Sequence, residues 1–238
     1  SEMCIRDRKR VISFQRYRLC SAPRQGSAHS MTDLENISLI KSEDDLRALH
    51  AAPMTRATDK VLTRLDQHCR TILELSPFCV LASQGPNGAD VSPRGDPPGF
   101  IRPLDDQTIL LPDRVGNNRL DAFVNILSNP QVGLLVIVPG MGETLRINGK
   151  ALITDDARLL EQSAVDGRAP KVGLVIKIEE AFLHCPKAFV RSQLWNPNRH
   201  IDRKILPTYP KMLLDHVNGL TEEENDRQSK IMDERGLY

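Results

Sequence analysis

Ser92, Arg94 and Asp96 alternate along one short run, so on a strand their side chains share a face. Gly95, lying between the last two, lets a ligand or a second backbone approach closely. Downstream, Gly116, Asn117, Asn118 and Arg119 stand where a loop is expected to enter a helix. Unpaired N–H groups and the positive end of the helix dipole make such a junction a natural anion site. Arg94 and Arg119 can add charge-assisted hydrogen bonds to a phosphate there. A plainer account uses the same residues: Arg94 and Asp96 as a surface ion pair, the two asparagines as helix caps. Spacing leaves both accounts open.

A second concentration runs from His184 to Trp195 and holds Cys185, Lys187, Arg191, Ser192 and the only tryptophan. A lone tryptophan is more often a packing anchor than a ligand contact. Adjacent His184 and Cys185 are poorly placed to chelate one ion, and the six histidines form no HExxH or other spaced ligand set, so no metal site is expected. The five cysteines form no CxxC pair and leave an odd thiol. Cys69 and Cys79 fall in apolar stretches and read as core residues. That usage fits a reducing, cytoplasmic location better than a disulfide framework.

The elements that would position these residues follow from periodicity and punctuation. Ser42 to Asp45 reads as a capped start to a short helix carrying Leu46 and Leu49. Thr58 is expected to cap a longer amphipathic helix with Val61, Leu62, Leu65, Cys69, Ile72 and Leu73 on one face, ending at Ser76-Pro77. Strands are then expected over Phe78–Ser83, Asp90–Arg94, Thr108–Leu111, Val132–Val138, Thr144–Ile153 and Val172–Ile178. A helix is expected over Asn118–Leu127 and a short one over Asp155–Ser163. Hairpin-joined strands with one interposed helix argue for an antiparallel α+β barrel rather than a βαβ nucleotide fold. No GxGxxG or GxxxxGK[ST] is present. Past Trp195, a helix carrying Met212, Leu213, Leu214 and Val217 is expected; the charged run Thr221–Tyr238 reads as a solvated helix or as disorder.

The totals exclude other classes. Lys+Arg 32 against Asp+Glu 31 gives a formal net charge of +1, without the basic excess of a nucleic-acid or anionic-membrane binder. No apolar run reaches membrane-spanning length. Ser1 to Ser30 is basic, acid-poor and without period. A transit peptide, a nucleic-acid arm and a non-native extension all compete to explain it. The last is favoured, because Met31-Thr32-Asp33-Leu34 looks like an authentic start. The expected organisation is therefore an extension (residues 1–30), an N-terminal helical segment (31–57), a barrel domain (58–200) and a C-terminal helical tail (201–238).

Five ordered blocks resemble the pyridoxamine 5′-phosphate oxidase-like family of FMN-binding split β-barrels: Ala89–Asp96, Leu111–Asp121, Asn129–Leu135, Gly142–Ala151 and His184–Trp195. The resemblance implies an α+β antiparallel split β-barrel and a homodimer with FMN at the subunit interface. By matched position it implies that Ser92, Arg94 and Gly95 lie beside the flavin and its phosphate. Asn117, Asn118 and Arg119 match the phosphate-binding loop. Thr144 and Arg146 sit where a side chain approaches the isoalloxazine ring. Arg191 and Trp195 match residues that reach the flavin from the other subunit. The strand Arg-x-Val-Leu-Leu-Lys of the vitamin-forming oxidases is replaced by the proline-interrupted stretch Ser92–Pro98, which argues against pyridoxamine phosphate as substrate. The function implied is an FMN-dependent oxidoreductase acting on a small molecule. The alternatives are a flavin-binding or stress protein without turnover, and a split barrel that holds haem or a deazaflavin.

Overall fold

A computed structural model describes residues 37–238, so the expected extension lies outside the described residues. The described residues fall into two units, residues 37–52 and residues 53–238. In the first, Ser42 caps helix α1 (Glu43–Ala48): its Oγ accepts from the Asp45 N–H at 3.1 Å, and three acidic residues occupy the first turn. Both features satisfy orphan N–H groups and oppose the helix dipole.

The second unit is built on a seven-stranded sheet. Its strands are β1 (Phe78–Gly85), β2 (Gly88–Gly95), β3 (Arg102–Pro103), β4 (Thr108–Pro112), β5 (Gln131–Ile137), β6 (Thr144–Thr154) and β7 (Gly173–His184). They pair in the order β2-β1-β5-β6-β7-β4-β3, always antiparallel. This is the α+β split β-barrel class expected from the sequence. Alternation along β1 and β5 buries Cys79, Leu81, Val132, Leu134 and Val136, and the same row continues through Leu145 and Ile147 of β6. Helix α3 (Gln67–Leu75) adds Cys69, Ile72 and Leu73; helix α4 (Asp121–Ser128) adds Phe123 and Ile126. Each such side chain contributes roughly 1.5–3 kcal/mol on burial.

Four expectations are corrected. The long helix does not begin at Thr58, which ends the short helix α2 (Thr55–Thr58). It begins at Asp66, whose side chain accepts from the Cys69 N–H at 2.8 Å. Leu62 instead exchanges both backbone hydrogen bonds with Ala181 of β7. Helix α4 starts at Asp121 rather than Asn118, because Asn118 (φ 60°) and Leu120 (φ 59°) are left-handed, a conformation a helix cannot contain. Strand β7 runs past Ile178 to His184. There Asn148 pairs with Glu180 and Gly149 with Ile178, so Glu179 is an extra residue that shifts the strand's parity. Gly149 is required at this bulge: a Cβ would lie 2.1 Å from the Lys177 carbonyl oxygen.

The short helix near Asp155 is α5 (Ala157–Leu160), capped by Asp156. Beyond β7 come α6 (Lys187–Ser192), α7 (Tyr209–His216) and α8 (Glu222–Arg235). The charged run after Thr221 is thus helical, capped by the Thr221 side chain. It is joined to α7 through buried Asn225, whose Nδ2 donates to the Pro210 carbonyl at 3.0 Å. No helix of the described residues is long and apolar enough to cross a membrane.

Candidate functional site

Strand β2 and the loop from β4 to α4 enclose a cavity of about 490 Å³, a size suited to a small molecule or cofactor. Ser92, Arg94, Gly95, Asn117, Asn118 and Arg119 all line it. The register explains how β2 contributes. Arg94 pairs with Cys79 and Ser92 with Leu81, both core residues, so both polar side chains turn toward the buried side of the sheet. At this edge they meet the rim of the core rather than its centre, and each is half-buried.

Arg94 does not pair with Asp96. Its Nη1 donates to Asp113 Oδ1 at 2.7 Å, with the two side chains 19% and 20% exposed. Its Nε donates to Ser92 Oγ at 3.3 Å, and its guanidinium lies 5.5 Å from the Phe123 ring centroid. Asp96 is held instead by Arg114. The surface ion pair that the sequence allowed is therefore replaced by two crossed pairs between β2 and the segment after β4. Asp113 and Arg114 fall inside a stretch the sequence had already singled out, yet nothing in their spacing shows which arginine meets which aspartate.

The loop supplies anion-binding groups of another kind. None of the described backbone hydrogen bonds uses the N–H of Gly116, Asn117 or Asn118. Leu120 occupies the N-cap of α4 with no side-chain cap, and Leu120, Asp121, Ala122 and Phe123 all border the cavity. The uncapped helix end thus opens on the same space as the loop. The Asn117 side chain folds back to accept from the Arg119 N–H at 3.1 Å. Arg119 projects outward, 72% exposed, with Nε donating to Asp121 Oδ2 at 2.7 Å. That hydrogen bond, followed by the Asp121 charge, pushes the guanidinium pKa up.

Carboxylates moderate the site: Asp90, Asp113 and Asp121 line it beside Arg94, Arg114 and Arg119. Donor bookkeeping shows what remains for a ligand. A guanidinium has five N–H donors. In the described hydrogen bonds Arg119 commits only Nε, and Arg94 leaves Nη2 uncommitted. Both arginines that line the cavity thus keep spare donors, and using them for a phosphate requires neither ion pair to break. The residues present fit an FMN phosphate.

The other four expected residues do not line this cavity within one chain. Thr144 is buried at the start of β6, paired with His184. Arg146 pairs with Leu135, Leu135 with Val80, and Val80 with Pro93. That row carries the parity opposite to Arg94, so Arg146 faces the other side of the sheet. It lies over the Phe182 ring at 5.5 Å. Arg191 is exposed in α6. Trp195 donates from Nε1 to the Met141 carbonyl at 2.6 Å and stacks on Phe189.

A residue that sequence reasoning missed is Tyr238. Its hydroxyl donates to Asp96 Oδ1 at 2.9 Å, and the Arg114 guanidinium lies 5.4 Å from its ring centroid. The hydrogen bond to Asp96 pushes the phenol pKa up. No local pattern connects positions so far apart in the chain.

Solved structures resembling the chain include HupZ of Group A Streptococcus, at 18% identity and TM-score 0.41, covering 50% of this chain and 93% of that one. General stress protein 26 of Bacillus anthracis is 16% identical with TM-score 0.38, covering 48% and 88%. A NimC/NimA family protein of Clostridium acetobutylicum is 15% identical with TM-score 0.33, covering 50% and 92%. No curated protein matches. The family model described as pyridoxamine 5′-phosphate oxidase matches residues 65–185, from the start of the α3 region through β7. Half of the chain, including both walls of the cavity, is matched, and the chain belongs to the pyridoxamine 5′-phosphate oxidase family.

Proposed function

We propose that this protein is an FMN-binding flavoprotein that works as an FMN-dependent oxidoreductase on a small-molecule substrate. One observation carries the reading: a loop with free amides, an uncapped helix N-terminus and two arginines with spare donors converge on one cofactor-sized cavity, inside the segment that matches the family. Gly116 to Arg119 and the end of α4 would hold the phosphate, with Arg94 beside it. Ser92 and Gly95 would line the path of the ring system. When bound, the isoalloxazine supplies the redox chemistry, while the protein positions it and tunes its potential.

The reading extends to a homodimer with FMN at the subunit interface. Two features support it. On the face of β1, β2 and β5 away from the core, Val91 is 64% exposed, and Val80 and Leu135 are only partly covered, an apolar surface beside an unpaired edge strand. Arg146, Arg191 and Trp195 stand away from their own chain's cavity, so a second subunit would have to bring them to it. We place the protein in the cytoplasm, in keeping with free thiols at Cys69, Cys79 and Cys185.

The test is optical and hydrodynamic. The purified protein is expected to be yellow, to release FMN on denaturation and to run as a dimer. Bleaching by NADH or NADPH followed by reoxidation in air supports turnover; retention of oxidised flavin under both reductants supports a binding or stress role instead. A haem Soret band or a deazaflavin spectrum overturns the cofactor assignment, as does a colourless protein that takes up no added FMN.

A further inference from the structure

The cavity wall between β4 and α4 is tied at its ends and bare in the middle. At one end the Asp113 N–H donates to the Val172 carbonyl at 3.0 Å, and the Asp113 carboxylate holds Arg94. At the other, α4 begins at Asp121. Among the described backbone–backbone hydrogen bonds, none uses the N–H or the carbonyl of any residue from Arg114 to Asn118. Side chains must supply the missing ties. Asn117 bonds only within the loop, to the Arg119 N–H. Arg114 reaches the rest of the fold: Nε donates to Asp96 Oδ2 at 2.5 Å and Nη2 to the Ser163 carbonyl at 2.7 Å.

Tyr238 completes that anchor. Its hydroxyl donates to the other oxygen of Asp96, Oδ1, at 2.9 Å, so one enclosed carboxylate is shared between Arg114 and Tyr238. The Arg114 guanidinium also lies 5.4 Å from the Tyr238 ring centroid, an attraction of cation to aromatic face. The main-chain oxygen of Tyr238, a carboxylate oxygen at the last residue of the chain, accepts from Arg168 Nη1 at 2.6 Å. Arg168 is itself fixed by a tight turn. It exchanges backbone hydrogen bonds of 3.1 and 2.9 Å with Val165 around left-handed Asp166 and Gly167, the preferred two-residue turn.

These contacts also join the C-terminal helices to the barrel. From Thr208 to Gly236, the described hydrogen bonds stay within α7, α8 and their connection. Gly236 (φ 70°) ends α8 and turns the chain, and Tyr238 follows two residues later. Tyr238 then closes one side of a second cavity, about 570 Å³, which shares Arg114 and Asn118 with the first. A single side chain thus links the tail to the wall of the cofactor cavity.

We propose that Tyr238 is a positioning residue for that cavity: it latches α7 and α8 onto the Asp96–Arg114 pair and so holds the Arg114–Asn118 wall in the shape that takes a phosphate. The effect on cofactor affinity rests on the FMN reading above; the latch itself does not. Linkage makes the relation reciprocal, because a ligand that settles the wall must also settle the tail.

Limited trypsin digestion of the full chain, with cut sites mapped by mass spectrometry, tests the latch without any cofactor. Cleavage after Arg227 and Lys230 reports the tail, cleavage after Arg114 reports the wall, and cleavage after exposed Arg119 serves as the internal reference. Tyr238→Ala is expected to speed the tail and Arg114 cuts by at least about fivefold relative to the Arg119 cut. Tyr238→Phe keeps the ring and loses the hydroxyl, and should fall between. FMN should weaken by at least about fivefold in Tyr238→Ala while riboflavin, which lacks the phosphate, keeps its affinity. Added FMN should slow the tail cuts in the unsubstituted protein and not in Tyr238→Ala. In a protein that takes up no FMN, the Arg114 cut still decides the latch, and only the flavin reading falls. Faster cleavage of the tail alone, unchanged cleavage at every site, or unchanged FMN affinity beside a faster Arg114 cut overturns the proposal. Equal losses for FMN and riboflavin with faster cleavage throughout the sheet also overturn it, by assigning Tyr238 to general stability.

Discussion

Arg114 Nε donates to Asp96 Oδ2 at 2.5 Å, and the carboxylate it holds is 1% exposed while its own side chain is 15% exposed. The pair is unequal in burial, and that inequality sets what each substitution should do. Arg114→Ala strands an almost fully enclosed carboxylate with the Tyr238 hydroxyl as its remaining side-chain partner. Removing one member of a buried pair costs about 3 kcal/mol or more. Asp96→Asn leaves a guanidinium that still donates to the Ser163 carbonyl at 2.7 Å and reaches water at the cavity, so it should cost only about 1–2 kcal/mol. Urea unfolding of both variants checks the order. Equal losses, or a larger loss for Asp96→Asn, would show that the pair is not buried as described.

The close approach at Gly149 makes a separate prediction. A methyl group there would sit 2.1 Å from the Lys177 carbonyl oxygen, an obstacle of backbone rather than of movable side chain. Gly149→Ala should therefore push β6 from β7 at the bulge and cost about 3 kcal/mol. Gly133→Ala is the control: its Cβ would lie 3.4 Å from Asn148 Oδ1, the end of a side chain that can shift, and less than about 1 kcal/mol is expected. Similar melting temperatures for the two variants would contradict this geometry.

Burial pushes the Cys79 thiol up to about 12, with nearby Arg94 opposing weakly, and the Cys69 thiol up to about 11, from 9.0. In the unfolded chain both ionise near the ordinary value. Above it the unfolded state holds fewer protons than the folded state, so stability must fall as pH rises. The decline should begin near 9.0 and continue toward the raised values. Urea midpoints from about pH 8 to about pH 10.5 should drop, and less steeply in Cys79→Ala. Thiol alkylation mapped by mass spectrometry should mark exposed Cys185 in the native protein and spare Cys69 and Cys79 until denaturant is added. Early modification of Cys79 would place it outside the core.

The hairpin strands were legible because apolar alternation and Gly or Pro punctuation act within a few residues. Cys79 and Leu81 could be placed in a strand without knowing their neighbours. Where a long-range contact sets the conformation, local pattern misleads. Val61, Leu62 and Leu65 mimic a helical face, yet Leu62 belongs to a bridge with Ala181. The bulge at Glu179 breaks the alternation on which strand recognition depends, which hid the second half of β7. The loop from Gly116 to Arg119 shows the same division. Its residue types point to an anion site, but nothing in them gives the left-handed backbone at Asn118 and Leu120 that delays the start of α4 to Asp121. The pairing of Asp96 with Arg114 and Tyr238 depends on the closed fold alone.

Arg119 offers the most direct test of the flavin assignment. It is 72% exposed and shares its guanidinium with Asp121, so its removal should leave folding untouched and should not alter the oligomeric state. A charge-assisted contact to phosphate at such an exposed site is expected to be worth about tenfold in affinity. Arg119→Ala should weaken FMN binding by that factor, read from the flavin fluorescence recovered on dissociation. Riboflavin carries the same ring without the phosphate, and its affinity should not change. Arg119→Lys keeps the charge but loses the fork, and should fall between the two. A parallel loss for FMN and riboflavin would assign Arg119 to the ring or to the shape of the loop, and the phosphate would then have to lie against Arg94 and the α4 N-terminus alone.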